Sequence, residues 1–173
     1  MAELFDHYNS GDNSHDNFGG SVVAAQTFTP SEAYTITSVK TRLLKNVSGA
    51  DGTMTLAIRA TAADYPTGGD LASGTLPGTV LNYNDPTWHE FTLGTPFLVT
   101  PGTKYAIVHY KTGSYSAQWR RGSSGYAAGW LFKSSDSGSS WNYSAPTLDW
   151  TFEVYGDLAA VGGGHGGPAA LLV

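Results

Sequence analysis

Apolar and polar positions along this chain alternate with a period of two, and no helical period persists beyond about two turns. The alternation is cleanest in two places. Met54, Leu56, Ile58 and Ala60 share one side of a run whose other side carries Thr55 and Arg59. Leu148, Trp150, Phe152 and Val154 lie opposite Asp149, Thr151 and Glu153. A strand patterned this way buries its apolar side and leaves the other in water. Across Lys104–Lys111 the pairs Ala106/Val108 and Tyr105/Ile107 compete, which predicts cover on both faces.

Strands are predicted at Val22–Thr29, Tyr34–Lys45, Thr53–Thr61, Asp70–Thr75, Trp88–Leu93, Lys104–Lys111, Tyr115–Arg120, Trp130–Ser134 and Leu148–Tyr155. Turn chemistry separates them, as in Thr29-Pro30-Ser31, Tyr65-Pro66-Thr67-Gly68-Gly69, Asp85-Pro86 and Thr100-Pro101-Gly102. Short strands punctuated in this way predict an all-β fold, an antiparallel two-sheet β-sandwich of jelly-roll type. Residues 1–20 are polar and read as an N-terminal extension, with the sandwich over 21–157. Residues 158–173 read as a Gly-rich tail with an apolar end, either frayed or a docking arm carrying the assembly residues Leu171, Leu172 and Val173.

Composition narrows the function classes. The 173 residues suffice for one domain with a sizeable core. Charged residues are 13% and the net charge is −5, which argues against nucleic acid as a partner. The absence of cysteine excludes disulfides, thiolate metal sites and a cysteine nucleophile. Met1-Ala2-Glu3-Leu4-Phe5-Asp6 has neither a basic nor an apolar run, so no signal peptide is expected. No apolar run reaches the length of a membrane span, so no membrane insertion is expected.

A series of short motifs gives the chain a family look. It includes Gln26-Thr27-Phe28-Thr29-Pro30-Ser31, Ile58-Arg59-Ala60-Thr61, Pro101-Gly102-Thr103-Lys104-Tyr105-Ala106-Ile107-Val108 and Trp119-Arg120. Over roughly residues 20–157 this resembles jelly-roll modules of phage and archaeal virus structural proteins and of large secreted surface proteins. The resemblance implies a non-catalytic module for display, adhesion or carbohydrate binding. Ser134-x-Asp136-x-Gly138-x-Ser140-Trp141 is similar to the Asp-box of sialidase-type propellers, a structural hairpin there. One copy in 173 residues predicts a hairpin, not a propeller or its activity.

Sites for chemistry are sparse. Asp12, Asp16 and the oxygens between them faintly echo a calcium loop, with Asp6 and Asp157 as further carboxylates. No glycine follows the fifth position and Val23 stands where the last ligand belongs, so only an irregular structural calcium site remains open. His7, His15, His89, His109 and His165 show no ligand spacing. There is no G-x-S-x-G elbow, and Asp149 and Glu153 would lie roughly 13 Å apart along one strand. No enzyme is expected.

Carbohydrate binding has better support, because sugar sites stack aromatic rings on pyranose faces and flank them with hydrogen-bonding side chains. Gln118, Trp119 and Arg120, with Tyr115 and Tyr126 near in sequence, form the main candidate. Trp88-His89-Glu90 and Trp141-Asn142-Tyr143 are lesser ones. The alternative for Trp119 is core packing. The expected function is that of a virion-surface structural protein of the decoration or fibre kind, with possible glycan adhesion. The second reading is a carbohydrate-binding module of an extracellular protein. Expected partners are further copies, other virion proteins and cell-surface glycans.

Overall fold

The computed structural model describes residues 2–47, 52–123, 125–143 and 147–159. In chain order the strands are β1 (Glu3–Tyr8), β2 (Asp12–Phe18), β3 (Val23–Phe28), β4 (Tyr34–Lys45), β5 (Thr53–Ala62), β6 (Tyr65–Pro77), β7 (Thr87–Leu98), β8 (Tyr105–Lys111), β9 (Ala117–Gly122), β10 (Leu131–Ser134), β11 (Asn142–Tyr143), β12 (Asp149–Trp150) and β13 (Phe152–Leu158). They form two antiparallel sheets, the two-sheet sandwich that the alternation predicts. The six-stranded sheet runs β11-β10-β3-β8-β5-β6. The seven-stranded sheet runs β1-β13-β4-β9-β12, with β2 on β9 and β7 on β4. Among the described residues no helix is long and apolar enough to cross a membrane.

The core between the sheets is aromatic. Trp119 and Trp150 stack with ring centroids 5.1 Å apart. His109 sits among Phe18, Phe91 and Trp119, and its Nε2 lies 3.0 Å from Thr41 Oγ1. Burial drives the imidazole pKa down to about 3, so the ring is neutral at pH 7.

Residues 1–20 are not an extension. β1 pairs with β13 and β2 with β9, and Tyr8 and Phe18 are core residues. The polar strand β2 has little apolar stripe of its own. Pairing with β9 and the anchoring of Phe18 make it a strand. Asp6 ties β1 down by accepting hydrogen bonds from Tyr34 Oη (2.7 Å) and Tyr126 Oη (3.0 Å).

The polar side expected to be wet near residue 150 is also covered. Asp149 is buried and accepts from Gln26 Nε2 at 2.8 Å and from the Tyr126 amide. Thr151 marks a fork, because β12 pairs with β9 while β13 pairs with β4. There the Thr151 amide and hydroxyl both donate to the Arg120 carbonyl, and the Thr151 carbonyl accepts from Trp119 Nε1. Asp149 is covered by Gln26 of β3 and the Tyr126 amide and Thr151 by Arg120 of β9, long-range partners that the alternation does not show.

β8 is buried on both faces, as its mixed pattern predicts. Tyr105 and Ile107 join the inner core. Ala106 and Val108 form a second cluster with Val23, Ala25 and Phe132 on the outer side of the six-stranded sheet. That outer cluster positions the site described next.

Candidate functional site

On β10, Leu131 enters the inner core, and period two turns Phe132 outward into the second cluster. Trp130, two positions before Phe132, therefore belongs to the outer side, where it is 39% exposed. Tyr65 (43% exposed) meets Phe132 with ring centroids 5.2 Å apart. Trp141 is half-buried against the same cluster. Three aromatic side chains from three parts of the chain thus line one outer surface.

Each is held at its backbone, Trp130 by an amide that donates to Thr27 Oγ1 (2.8 Å) and a carbonyl that accepts from the Thr27 amide (2.9 Å). Tyr65 follows a two-residue hairpin loop between β5 and β6, with Ala62 opposite Tyr65 in the register. Both loop residues have left-handed backbone, Ala63 at φ 47° and Asp64 at φ 72°. That is the type I′ pattern, which matches strand twist and normally calls for Asn and Gly. Alanine there costs roughly 1–2 kcal/mol of backbone strain, and strain of this kind concentrates at ligand clamps.

Trp141 is held by the Asp-box-like hairpin, which forms as its motif predicts. Ser134 Oγ donates to Asp136 Oδ1 (2.7 Å) and accepts from the amides of Asp136 and Gly138. Asp136 also accepts from the Ser140 amide (2.8 Å) and hydroxyl (2.6 Å). Ser137 and Gly138 take the positive φ values that close the turn. These hydrogen bonds, led by the Ser140 hydroxyl, pull the Asp136 pKa down to about 2.

Three grooves run together along this surface. The first, of about 500 Å³, lies between the Thr29–Ser31 turn and the Ala127–Trp130 loop, with Lys104 in its wall. The second, of about 160 Å³, lies between the Ala63–Tyr65 turn, Trp130 and Phe132. The third, of about 320 Å³, is bounded by Tyr65, Pro66, Ser140 and Trp141. Trp130 borders the first and second and Tyr65 the second and third, so the three lie side by side as a trough divided by these rings. An ion pair sits in its middle. Lys104 Nζ contacts Asp64 Oδ1 and lies 4.7 Å from the centroid of the Trp130 ring.

No family model and no curated protein matches this chain.

The sugar-binding candidates read from the sequence lie elsewhere. Trp119 is fully buried between the sheets and cannot serve as a stacking platform. Tyr115 is buried with Lys111 Nζ 4.0 Å above its ring. Gln118 is buried and donates to Asn17 Oδ1 at 2.8 Å. Tyr126 packs edge-on against Phe152 and hydrogen-bonds Asp6. Arg120 is half-buried on Asp12. The run holds Trp119 inward because its position on β9 faces the sheet opposite.

The calcium candidates do not converge. Asp12 places its two oxygens on Arg42 and Arg120. Asp16 pairs with Arg121 at 3.0 Å and with Lys133 at 3.8 Å. Asp6 serves the two tyrosines, and Asp157 is exposed on β13. Among the described residues no three His, Asp or Glu side chains gather as a metal site. Leu171, Leu172 and Val173 lie outside the described residues.

Of the lesser sequence candidates, Trp141 lines the trough, whereas Trp88 stands on the other sheet opposite Arg42. Trp130 and Tyr65, which the sequence places in a strand and a turn, are not among its binding candidates. Trp130 offered the weak signal of a tryptophan two positions from an outward phenylalanine. Tyr65 offered none, since it lies in a turn-rich run.

Proposed function

We propose that this protein is a non-catalytic surface module that binds glycans along the Trp130–Tyr65–Trp141 trough. The observation that supports this reading is the line of three partly exposed rings, each held on its own braced hairpin or loop. Aromatic faces stack on the C–H faces of pyranoses, and rings fixed before binding lose little entropy when the ligand arrives. The display setting proposed is an exterior of the virion decoration or fibre kind, or a secreted surface. A chain with only 13% charged residues has little non-specific attraction for other polymers in such a setting.

The test is a glycan array and insoluble-polysaccharide pull-down with the full chain, with Trp130→Ala and Tyr65→Ala beside it. Retention on at least one glycan class, lost in both variants while thermal unfolding is preserved, supports the reading. A folded wild type that binds no glycan, or binds equally well in both variants, overturns it.

A further inference from the structure

The trough carries its own information about which glycans fit. Its three grooves are neighbours, with Trp130 between the first two and Tyr65 between the last two, so a ligand long enough to span them crosses both rings. A site for a single terminal sugar would need one enclosed groove. This arrangement suits a chain lying across several consecutive rings.

Charge narrows the class further. Lys104 is paired with Asp64. Arg59, beyond the outer apolar cluster, is paired with Asp70 at 2.7 Å. Both of these cations therefore have their own carboxylate. An incoming uronate or sulfate would have to compete with Asp64 for Lys104 and would meet the Asp64 charge at close range. A hydroxyl meets no such penalty. The Asp64 side chain is 42% exposed, so it can accept from a hydroxyl while holding Lys104. An ammonium carries three donors, and one suffices for Asp64.

Resting on the glycan reading above, we propose that the trough receives an internal stretch of an uncharged polysaccharide. The Asp64–Lys104 pair reads hydroxyl groups between the Trp130 and Tyr65 rings.

Calorimetry with the full chain tests this, using neutral glucan, mannan and galactan oligosaccharides from two to six sugars. Oligogalacturonates and sulfated oligosaccharides of the same lengths serve as the charged set. Affinity for a neutral series is expected to rise about tenfold or more from disaccharide to hexasaccharide, with charged hexasaccharides about tenfold weaker or worse. Asp64→Asn keeps a residue that tolerates the left-handed turn, so the fold is expected to survive. It should weaken neutral binding several-fold and narrow the gap to the charged set.

Charged hexasaccharides binding as tightly as neutral ones would overturn the charge argument. Disaccharide binding equal to hexasaccharide binding would overturn the extended chain, and unchanged binding in Asp64→Asn would overturn the role of the pair. In all three outcomes the glycan reading itself survives. Absence of binding to every oligosaccharide by a folded protein overturns both.

Discussion

The indole rings of Trp119 and Trp150 lie nearly parallel, with 10° between their planes and 5.1 Å between centroids. Both are fully buried, and they join β9 to the strand that forks at Thr151. Removing either ring leaves a large void in a close-packed interior. Trp119→Ala is expected to destabilise the protein by about 3–5 kcal/mol in denaturant titration. Trp130→Ala, at a partly exposed position, should cost about 1 kcal/mol or less. Equal costs at the two positions would contradict the placement of Trp119 in the core and Trp130 at the surface.

His109 makes stability depend on pH in a calculable direction. Folded, the imidazole stays neutral down to about pH 3, whereas its ordinary value is 6.5. Between those values the unfolded chain binds the extra proton, so stability falls as pH drops from 6.5 toward 3, by about 1 kcal/mol per unit. Asp149 acts in the opposite sense nearer the acid end, because burial raises its pKa and the folded state takes up that proton first. Unfolding curves at pH 7, 6 and 5 should show the decline in the wild type and a flatter profile in His109→Gln. Parallel profiles would show that His109 is not the linked group.

The Asp136 carboxylate should organise its hairpin over nearly the whole accessible pH range. Its folded pKa is depressed to about 2 from 3.8. Its contribution is therefore complete above 3.8 and is lost as pH falls through 2. Asp136→Ala is expected to raise amide exchange at Ser140, whose amide it accepts, and to weaken glycan binding through Trp141. Unchanged exchange at Ser140 would remove the carboxylate from its assigned role.

The first eighteen residues should be indispensable to the fold. Deleting them strips β2 from β9 and β1 from β13 and uncovers Tyr8 and Phe18. The deletion is expected to yield an unfolded or aggregating chain, visible as lost near-ultraviolet circular dichroism. Asp6→Ala, which leaves Tyr34 and Tyr126 hydroxyls without their shared acceptor, should cost about 1–3 kcal/mol. A well-folded deletion product would mean that these strands are appended after all.

The turn at Ala63 should report its strain. Glycine takes φ near +47° without a Cβ clash. Ala63→Gly is expected to raise stability by up to about 1 kcal/mol, the relief of strain being partly offset by the greater freedom of the unfolded chain. A destabilised variant in thermal melting would show that the methyl group makes contacts that outweigh the strain.

Much of the fold was legible in the chain because its signals are local. Period-two alternation marked β5, the mixed pattern of β8 announced cover on both faces, and Tyr34–Lys45 matched β4 to the residue. The Asp-box spacing specified its hairpin because Ser134, Asp136 and Ser140 satisfy one another within seven residues. These features depend on neighbours in sequence, and a sequence displays them directly.

The trough depended on what lies far away. Tyr65, Trp130 and Trp141 come from separate hairpins and loops, and only the pairing of β10 with β3, and of β5 with β8 and β6, sets them along one surface. Trp119 and Trp130 are alike as residues. The first points into the sandwich and the second out of it, which is decided by the face each strand position presents once the sheets have packed. Strands β1 and β2 likewise owe their order to partners about a hundred residues away or more, β13 and β9. Alternation and turn chemistry determined that the chain would form sheets. Which aromatics those sheets bury and which they leave for a ligand was decided by long-range register, a property of the packed molecule.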